Sequence, residues 1–202
     1  MAGQTTADYV VLSGGEMIPF PDKKYQVIYA DPPWTYKDRN NTGRGASKYY
    51  SVMTKKELCN LPVQSIADDD CLLFMWVTYP TIPDALSVIE SWGFKYKTFA
   101  FVWVKKNKSG SGEFFGLGRY TRSNSEACIV ARKGKNLVSN HSVRQIITSP
   151  LDKHSKKPDE TRDRIVELVG DIPRIELFAR QETDGWDVWG NEVNLPHPGG
   201  KG

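Results

Sequence analysis

The chain has 202 residues, of which 39% are hydrophobic, 11% aromatic and 25% charged. This length predicts a single domain, residues 1–202 with a core at about 22–194 and flexible tails. The composition is that of a globular protein and excludes a disordered or fibrous chain. The net charge of +3 permits a polyanionic partner without requiring one.

The apolar runs are much shorter than a membrane span and no signal peptide is recognisable, so we expect a cytoplasmic protein. Three cysteines, Cys59, Cys71 and Cys128, are odd in number and lie among apolar residues, which favours a reduced compartment over a disulfide framework. None of the three histidines has a neighbouring ligand, so we predict no metal site.

Apolar runs and turn residues predict strands that alternate with helices. In chain order the predicted elements are a strand at Tyr25–Ala30, a short helix opened by the capping pair Thr54 and Glu57, a strand at Cys71–Thr78, a helix at Pro83–Trp92, strands at Lys95–Lys105 and Glu126–Ala131, a helix from Pro158 to Gly170, and a strand at Arg174–Phe178. The strand at Cys71–Thr78 lacks polar alternation, as a strand covered on both faces does. The pattern predicts an α/β fold with a mostly parallel sheet, helices on both faces, and ligands at the carboxyl ends of strands.

Asp31-Pro32-Pro33-Trp34, at the end of the first strand, is the sharpest candidate for chemistry. The exocyclic amine of adenine is a weak nucleophile because its lone pair is delocalised, so an enzyme that methylates it must accept hydrogen bonds from both N–H groups. The Asp31 carboxylate and a rigid proline carbonyl, preferably that of Pro32 rather than Pro33, can accept them. Trp34 offers a face on which a flipped base can stack. The alternative is a plain proline turn with Trp34 in the core.

Two loops that combine cations with aromatic residues are candidate contacts for nucleic acid. The alternative is that these charges only keep the loops soluble. The predicted contacts are Tyr36, Lys37, Arg39, Arg44 and Tyr49 in the first loop, and Lys105, Arg119 and Arg122 in the second.

Several spaced motifs resemble the family of adenine-N(6) methyltransferases typified by the catalytic subunit of the messenger-RNA adenosine methyltransferase, whose small bacterial and phage members have a similar length. The motifs run from residue 25 to 192: Asp31-Pro32-Pro33-Trp34, Leu73 to Val77, Trp92-Gly93-Phe94, Val102 to Lys105, Gly118-Arg119 to Glu126, His154 to Glu160, Ile175 to Arg180, Gly185-Trp186 and Gly190-Asn191. The resemblance implies a Rossmann-like methyltransferase with permuted motif order and S-adenosylmethionine as the methyl donor.

The resemblance also implies a donor site. Lys157, just before a proline-started helix whose dipole favours an anion, would meet the donor carboxylate. Arg180, Asn191 and Glu192 would hold the ribose and the adenine edge, and Asp31 and Phe178 complete the expected donor contacts.

The function expected from these residues is methyl transfer from S-adenosylmethionine to the 6-amino group of adenine in nucleic acid, with DNA favoured. An RNA substrate and a non-catalytic nucleic-acid-binding partner subunit of the same fold are the alternatives. A homodimer or heterodimer is compatible with the sequence, and we expect no membrane partner.

Overall fold

A mixed sheet of seven strands dominates the computed structural model, which describes residues 9–11, 17–35, 52–118, 120–152 and 156–193. In chain order the elements are β1 (Tyr9–Val11), β2 (Met17–Pro19), β3 (Tyr25–Ala30), α1 (Lys55–Cys59), β4 (Ala67–Val77), α2 (Ile82–Ser91), β5 (Lys95–Lys106), β6 (Ser125–Lys133), β7 (Ile146–Pro150), α3 (Glu160–Val169), β8 (Arg174–Leu177) and β9 (Asp187–Trp189). The strand order in the sheet is β7-β5-β6-β4-β3-β8-β9, and β1 pairs separately with β2.

The sheet is parallel except at β6. β3 pairs in parallel with both β4 and β8, whereas β6 runs antiparallel to its neighbours β4 and β5. β6 follows β5 without an intervening helix, and a chain that turns back directly pairs antiparallel. The predicted α/β fold with a mostly parallel sheet is therefore confirmed.

Helices cover both faces of the sheet because alternate residues of its central strands are apolar on both sides. In β4, Leu73 and Met75 pack in the cluster that contains residues of α1 and α2. Phe74 and Trp76, which point the other way, pack in the cluster that contains Ile165 of α3. This two-sided burial explains why the strand shows no polar alternation.

The predicted elements are confirmed with small changes at their ends. The Thr54–Glu57 capping box is present at α1, and β4 begins at Ala67, four residues before the predicted start. The sequence reasoning missed the short strands β1, β2, β7 and β9. β7 has one buried residue, Ile147, because it lies at the sheet edge, so its apolar pattern is weak.

The carboxyl ends of the six parallel strands lie along one edge of the sheet. Ala30 of β3 pairs with Leu177 of β8, so the residues that follow, Asp31 and Phe178, leave neighbouring strands side by side. β5 reaches the same edge at Lys106, where the connection to β6 begins. None of the helices in the described ranges is long and apolar enough to cross a membrane.

Candidate active site

The proline pair after Asp31 has a fixed path because both carbonyl groups accept backbone hydrogen bonds. The Trp34 N–H donates to the Pro32 oxygen at 2.9 Å, and the Met53 N–H donates to the Pro33 oxygen at 2.8 Å. A carbonyl oxygen has two lone pairs, so the Pro32 oxygen can accept one more donor. The Asp31 side chain is 26% exposed and therefore does not point into packed interior.

Trp34 lies in the core rather than on an open surface. Its residue is 8% exposed, and its indole N–H donates to the Trp76 carbonyl oxygen at 3.0 Å. This environment agrees with the core alternative. The predicted stacking of a base on Trp34 stays a prediction, and it requires the ring to be uncovered.

Asp31 belongs to a continuous chain of four ion-paired side chains. Lys157 Nζ lies 2.9 Å from Asp31 Oδ2 and 3.3 Å from Glu126 Oε2. Glu126 also accepts a hydrogen bond from Lys105. The side chains of Lys157, Glu126 and Lys105 are only 10%, 12% and 14% exposed. We call Asp31, Lys157, Glu126 and Lys105 the charge cluster. Its two cations balance its two carboxylates.

The charge cluster holds Glu126 and Lys157 in their ionised forms. Burial alone would raise the pKa of Glu126, but the charges of Lys157 and Lys105 outweigh it and keep this pKa below the usual value. Burial would lower the pKa of Lys157, but the charges of Asp31 and Glu126 outweigh it and raise this pKa above the usual value. At neutral pH Glu126 is therefore a carboxylate, which accepts hydrogen bonds, and Lys157 is an ammonium group, which donates them.

A second buried ion pair fixes the start of α3, the helix that follows Lys157. Arg162 donates from Nε and Nη2 to the two carboxylate oxygens of Glu176 in β8, at 2.7 and 2.8 Å, and from Nη1 to Asp159 at 2.8 Å. Its guanidinium carbon also lies 5.6 Å from the Tyr29 ring centre. This bidentate contact ties α3 to β8, so Lys157 is positioned relative to the same sheet edge as Asp31.

The residues predicted to bind the donor gather at the end of β8. Phe178 has a φ of 62°, in the left-handed region that residues other than glycine seldom adopt, and its ring lies edge-on to Trp189 at 5.7 Å. Arg180 Nε lies 3.7 Å from Glu192 Oε1, with both side chains more than a third exposed. Asn191, also exposed, lies beside Glu192 in the turn after β9.

Gly190 makes this arrangement possible. A Cβ atom at Gly190 would overlap the carbonyl oxygen of Ala179, so the turn after β9 lies directly against the backbone that leaves β8. The Ala179 N–H donates to the Trp189 carbonyl oxygen at 3.1 Å across the same approach. The end of β8 and the turn after β9 thus form one surface next to Asp31.

A cavity of about 230 Å³ borders Lys157 on the side of β7. Its walls come from the ends of β5 and β7 and from the residues that open α3. They carry charges of both signs, including Lys156, Asp152 and Glu160. The site therefore extends along the sheet edge in both directions from Asp31 and Lys157.

The structure separates the predicted nucleic-acid contacts into three groups. Lys105 differs from the prediction, because its ammonium group is nearly buried, is paired with Glu126 and lies 5.0 Å from the Trp103 ring centre. Such a cation supports the charge cluster and is not free to meet phosphates. Arg122 is exposed, as predicted. Tyr36, Lys37, Arg39, Arg44, Tyr49 and Arg119 lie outside the described residues.

Glu126 is the site residue that the sequence reasoning missed. The sequence indicates it as the start of a strand and the end of a family motif, without a role in the site. In the structure it pairs in register with Trp103 and lies between two lysines. The sequence did contain a signal for this role. Glu126 is a carboxylate at the start of an otherwise apolar strand, and a buried carboxylate needs a partner.

Comparison with known proteins agrees with this geometry. The MT-A70 family matches residues 25–192. Type II methyltransferase M.MunI of Mycoplasma sp is 40% identical, over 91% of this chain and 87% of that protein. Two human proteins, the N(6)-adenine-specific methyltransferase METTL4 and the N(6)-adenosine-methyltransferase catalytic subunit METTL3, are each 28% identical over about 85% of this chain.

The coverage differs between these relatives. The chain spans most of the Mycoplasma protein but only 38% of METTL4 and 29% of METTL3. The family match includes both the proline segment after β3 and the surface at the end of β8. The chain therefore belongs to the MT-A70 family of adenine-N6 methyltransferases, whose members generally use S-adenosylmethionine.

Proposed function

We propose that this methyltransferase acts on adenine in DNA, that Asp31 and the Pro32 carbonyl orient the adenine amine, and that the surface at the end of β8 holds S-adenosylmethionine. The observation that carries the proposal is the placement of Asp31. Its partly exposed carboxylate lies at the carboxyl end of a central parallel strand and is fixed by Lys157 at 2.9 Å.

The amine of adenine needs two hydrogen-bond acceptors. Lys157 Nζ donates to Oδ2 of Asp31, which holds the carboxylate in place, and in this proposal Oδ1 accepts one N–H of the amine. The Pro32 oxygen, which already accepts the Trp34 N–H, has its second lone pair for the other amine N–H. Both acceptors belong to a short, proline-restricted segment, so little order is lost when the substrate binds.

Asp31 would also balance charge during the reaction. When bound, S-adenosylmethionine supplies an electrophilic methyl group. The adenine nitrogen becomes positively charged as it forms the new bond to the methyl carbon, while the bond from that carbon to the sulfonium sulfur breaks and the sulfur leaves as a neutral thioether. The Asp31 carboxylate stabilises the charge on the nitrogen. The nitrogen then loses a proton to water or to Asp31. In this proposal, positioning and electrostatic stabilisation account for catalysis.

The residues at the end of β8 fit the donor. Exposed Arg180, Asn191 and Glu192 offer donors and acceptors for a ribose diol and an adenine edge, and the Phe178 ring offers apolar contact. The left-handed backbone at Phe178 supports a binding role, because such strain is concentrated at functional sites. Lys157 has two carboxylate partners, Asp31 and Glu126, in the described residues. In this proposal the donor carboxylate becomes a further partner of its ammonium group.

DNA is the proposed substrate because of a relative that matches this chain over most of both sequences. M.MunI, similar over almost its whole length, is named a type II methyltransferase, and type II denotes a class of DNA-modifying enzymes. The mild positive charge of this chain and the exposed Arg122 suit a polyanion.

The test is methyl transfer from labelled S-adenosylmethionine to separate pools of duplex DNA and RNA. The unaltered protein should label DNA. Asp31→Ala and Asp31→Asn should lower transfer by about a hundredfold or more, a loss much larger than any loss of donor affinity measured by calorimetry. Asp22→Asn, in an exposed turn, is the matched control and should behave as the unaltered protein.

Three results would contradict the proposal. Full activity of Asp31→Ala would remove the role of its carboxylate. Labelling of the RNA pool alone would show that the substrate is RNA rather than DNA. A protein that binds no S-adenosylmethionine in the calorimeter would be a non-catalytic partner subunit.

A further inference from the structure

An exposed loop leaves the sheet directly beside the charge cluster. We call residues 114–123 the β5–β6 loop, of which 114–118 and 120–123 are described. The backbone at both ends of this loop is hydrogen-bonded to the backbone of Lys105. The Phe114 N–H donates to the Lys105 carbonyl oxygen at 2.9 Å, and the Lys105 N–H donates to the carbonyl oxygen of Asn124 at 2.8 Å. The Asn124 side chain also donates to Glu113 at 2.8 Å. The ends of the loop are therefore fixed at a residue whose side chain pairs with Glu126.

The two arms of the β5–β6 loop lie against each other. A Cβ atom at Gly116 would overlap the carbonyl oxygen of Ser123, and one at Gly118 would overlap that of Thr121. Only glycine allows backbones to approach so closely. The described parts of the two arms thus form a narrow hairpin, a shape that can enter a groove of duplex DNA and present side chains to the base stack.

Apolar side chains project from this hairpin into solvent. Phe115 is 72% exposed, Leu117 90% and Tyr120 completely. Three such residues within six positions form an apolar surface of a kind that marks binding sites. Arg122 lies over the Phe115 ring at 4.6 Å, and the exposed Lys108 lies in the adjoining turn. Cations next to exposed rings suit nucleic acid, because the cations meet phosphates and the rings stack on bases.

We propose that the β5–β6 loop enters the DNA duplex at the target base pair, where Leu117 and Tyr120 fill the space that the adenine leaves when it turns out toward Asp31. This inference rests on the proposed function, since only a duplex substrate requires the base to leave a stack. Unstacking a base costs free energy, and insertion of apolar side chains into the stack offsets that cost. Because the loop is fixed at Lys105, the inserted residues and Asp31 act at one end of the same sheet.

The test compares a paired duplex with one that is already opened at the target. Unmethylated phage genomic DNA is first treated with the unaltered enzyme, and the adenines that the enzyme methylates are mapped. A short duplex that contains one such site is then made in two forms. One form has thymine opposite the target adenine, and the other has an abasic site there. Leu117→Ala, Tyr120→Ala and the double variant are assayed on both, with Tyr96→Ala, an exposed aromatic at the opposite end of β5, as the matched control.

The variants should lose about tenfold or more in kcat/KM on the paired duplex and recover most of it on the abasic duplex. Their affinity for S-adenosylmethionine and their circular dichroism should be unchanged. Tyr96→Ala should match the unaltered enzyme on both duplexes. Arg122→Ala should raise KM equally on both and weaken the salt dependence of binding.

Other outcomes overturn the inference in distinguishable ways. Variants that methylate the paired duplex at full rate, or that lose equally on both duplexes, would show that the loop does not fill the vacated position. A change in sedimentation that tracks Leu117→Ala or Tyr120→Ala would assign the loop to contact with a second copy of the chain. Absence of transfer to any DNA by the unaltered enzyme would refute the proposed function itself and the loop's role with it.

Discussion

Glu126→Gln tests the charge cluster directly. The substitution keeps the size of the side chain but removes the carboxylate charge between Lys157 and Lys105. Lys157 Nζ lies 3.3 Å from Glu126, which corresponds to an attraction of about 5 kcal/mol at an effective dielectric constant of about 20. The change also removes the cost of burying the carboxylate, and Lys157 keeps Asp31 as a partner. We therefore expect a net loss of about 3 kcal/mol, at the low end of the range for a buried pair that loses one member.

The assay is urea unfolding at neutral and at acidic pH. The pKa of Glu126 is lowered in the folded protein, so its stabilisation is present at neutral pH and is lost as the pH falls through that lowered value. The unaltered protein and Glu126→Gln should therefore differ most at neutral pH and converge in acid. Glu90→Gln, exposed on α2, is the matched control and should change stability by less than about 0.5 kcal/mol.

The same variant reports on the site. With Glu126 uncharged, Lys157 is attracted by Asp31 alone and loses the position that pairing with two carboxylates gives it, and Asp31 is displaced with it. Methyl transfer should fall by about tenfold, since a small displacement of a positioning group has this effect or more. A variant that unfolds at the same urea concentration as the unaltered protein at neutral pH, or whose deficit is the same in acid, would refute the reasoning.

Two further predictions concern the rest of the structure. Arg162→Met leaves Glu176 buried without its bidentate partner and should lower the free energy of unfolding in urea by about 3 to 5 kcal/mol. Lys55→Met, the control, breaks an exposed pair with Asp84 and should lower it by less than about 1 kcal/mol. Equal effects would contradict the structural role of Arg162. In the folded protein, iodoacetamide should modify Cys59 before Cys71 and Cys128. The last two are buried, and burial raises the pKa of the Cys71 thiol to about 12. Mass spectrometry that finds Cys71 alkylated first would contradict this order.

The strands and helices that bury apolar faces could be predicted from the sequence because their pattern is local. The Thr54–Glu57 capping box and the uninterrupted apolar run of β4 each specify one element without reference to the rest of the chain. β7 and β9 could not be predicted in this way. Each is a short strand at an edge of the sheet, so its conformation depends on a neighbour rather than on its own residues.

The site was predicted in part for the same reason. Asp31-Pro32-Pro33-Trp34 is contiguous, so its position after a strand was visible. Lys105 was assigned to phosphate because nothing in the sequence shows that Glu126, 21 residues later, lies beside it. An ion pair between distant residues leaves no local pattern, whereas a run of cations in a loop does.

The amino-acid order by itself determined the helices and the longer, buried strands. It also placed an acid and two prolines at the end of a strand. Hydrophobic burial and proline geometry act over a few neighbouring residues, so both features are visible locally. Only the tertiary structure decided which charges meet. The sheet order brings residues 31, 105, 126 and 157 to one edge, and burial there makes each charge depend on the others for its stability.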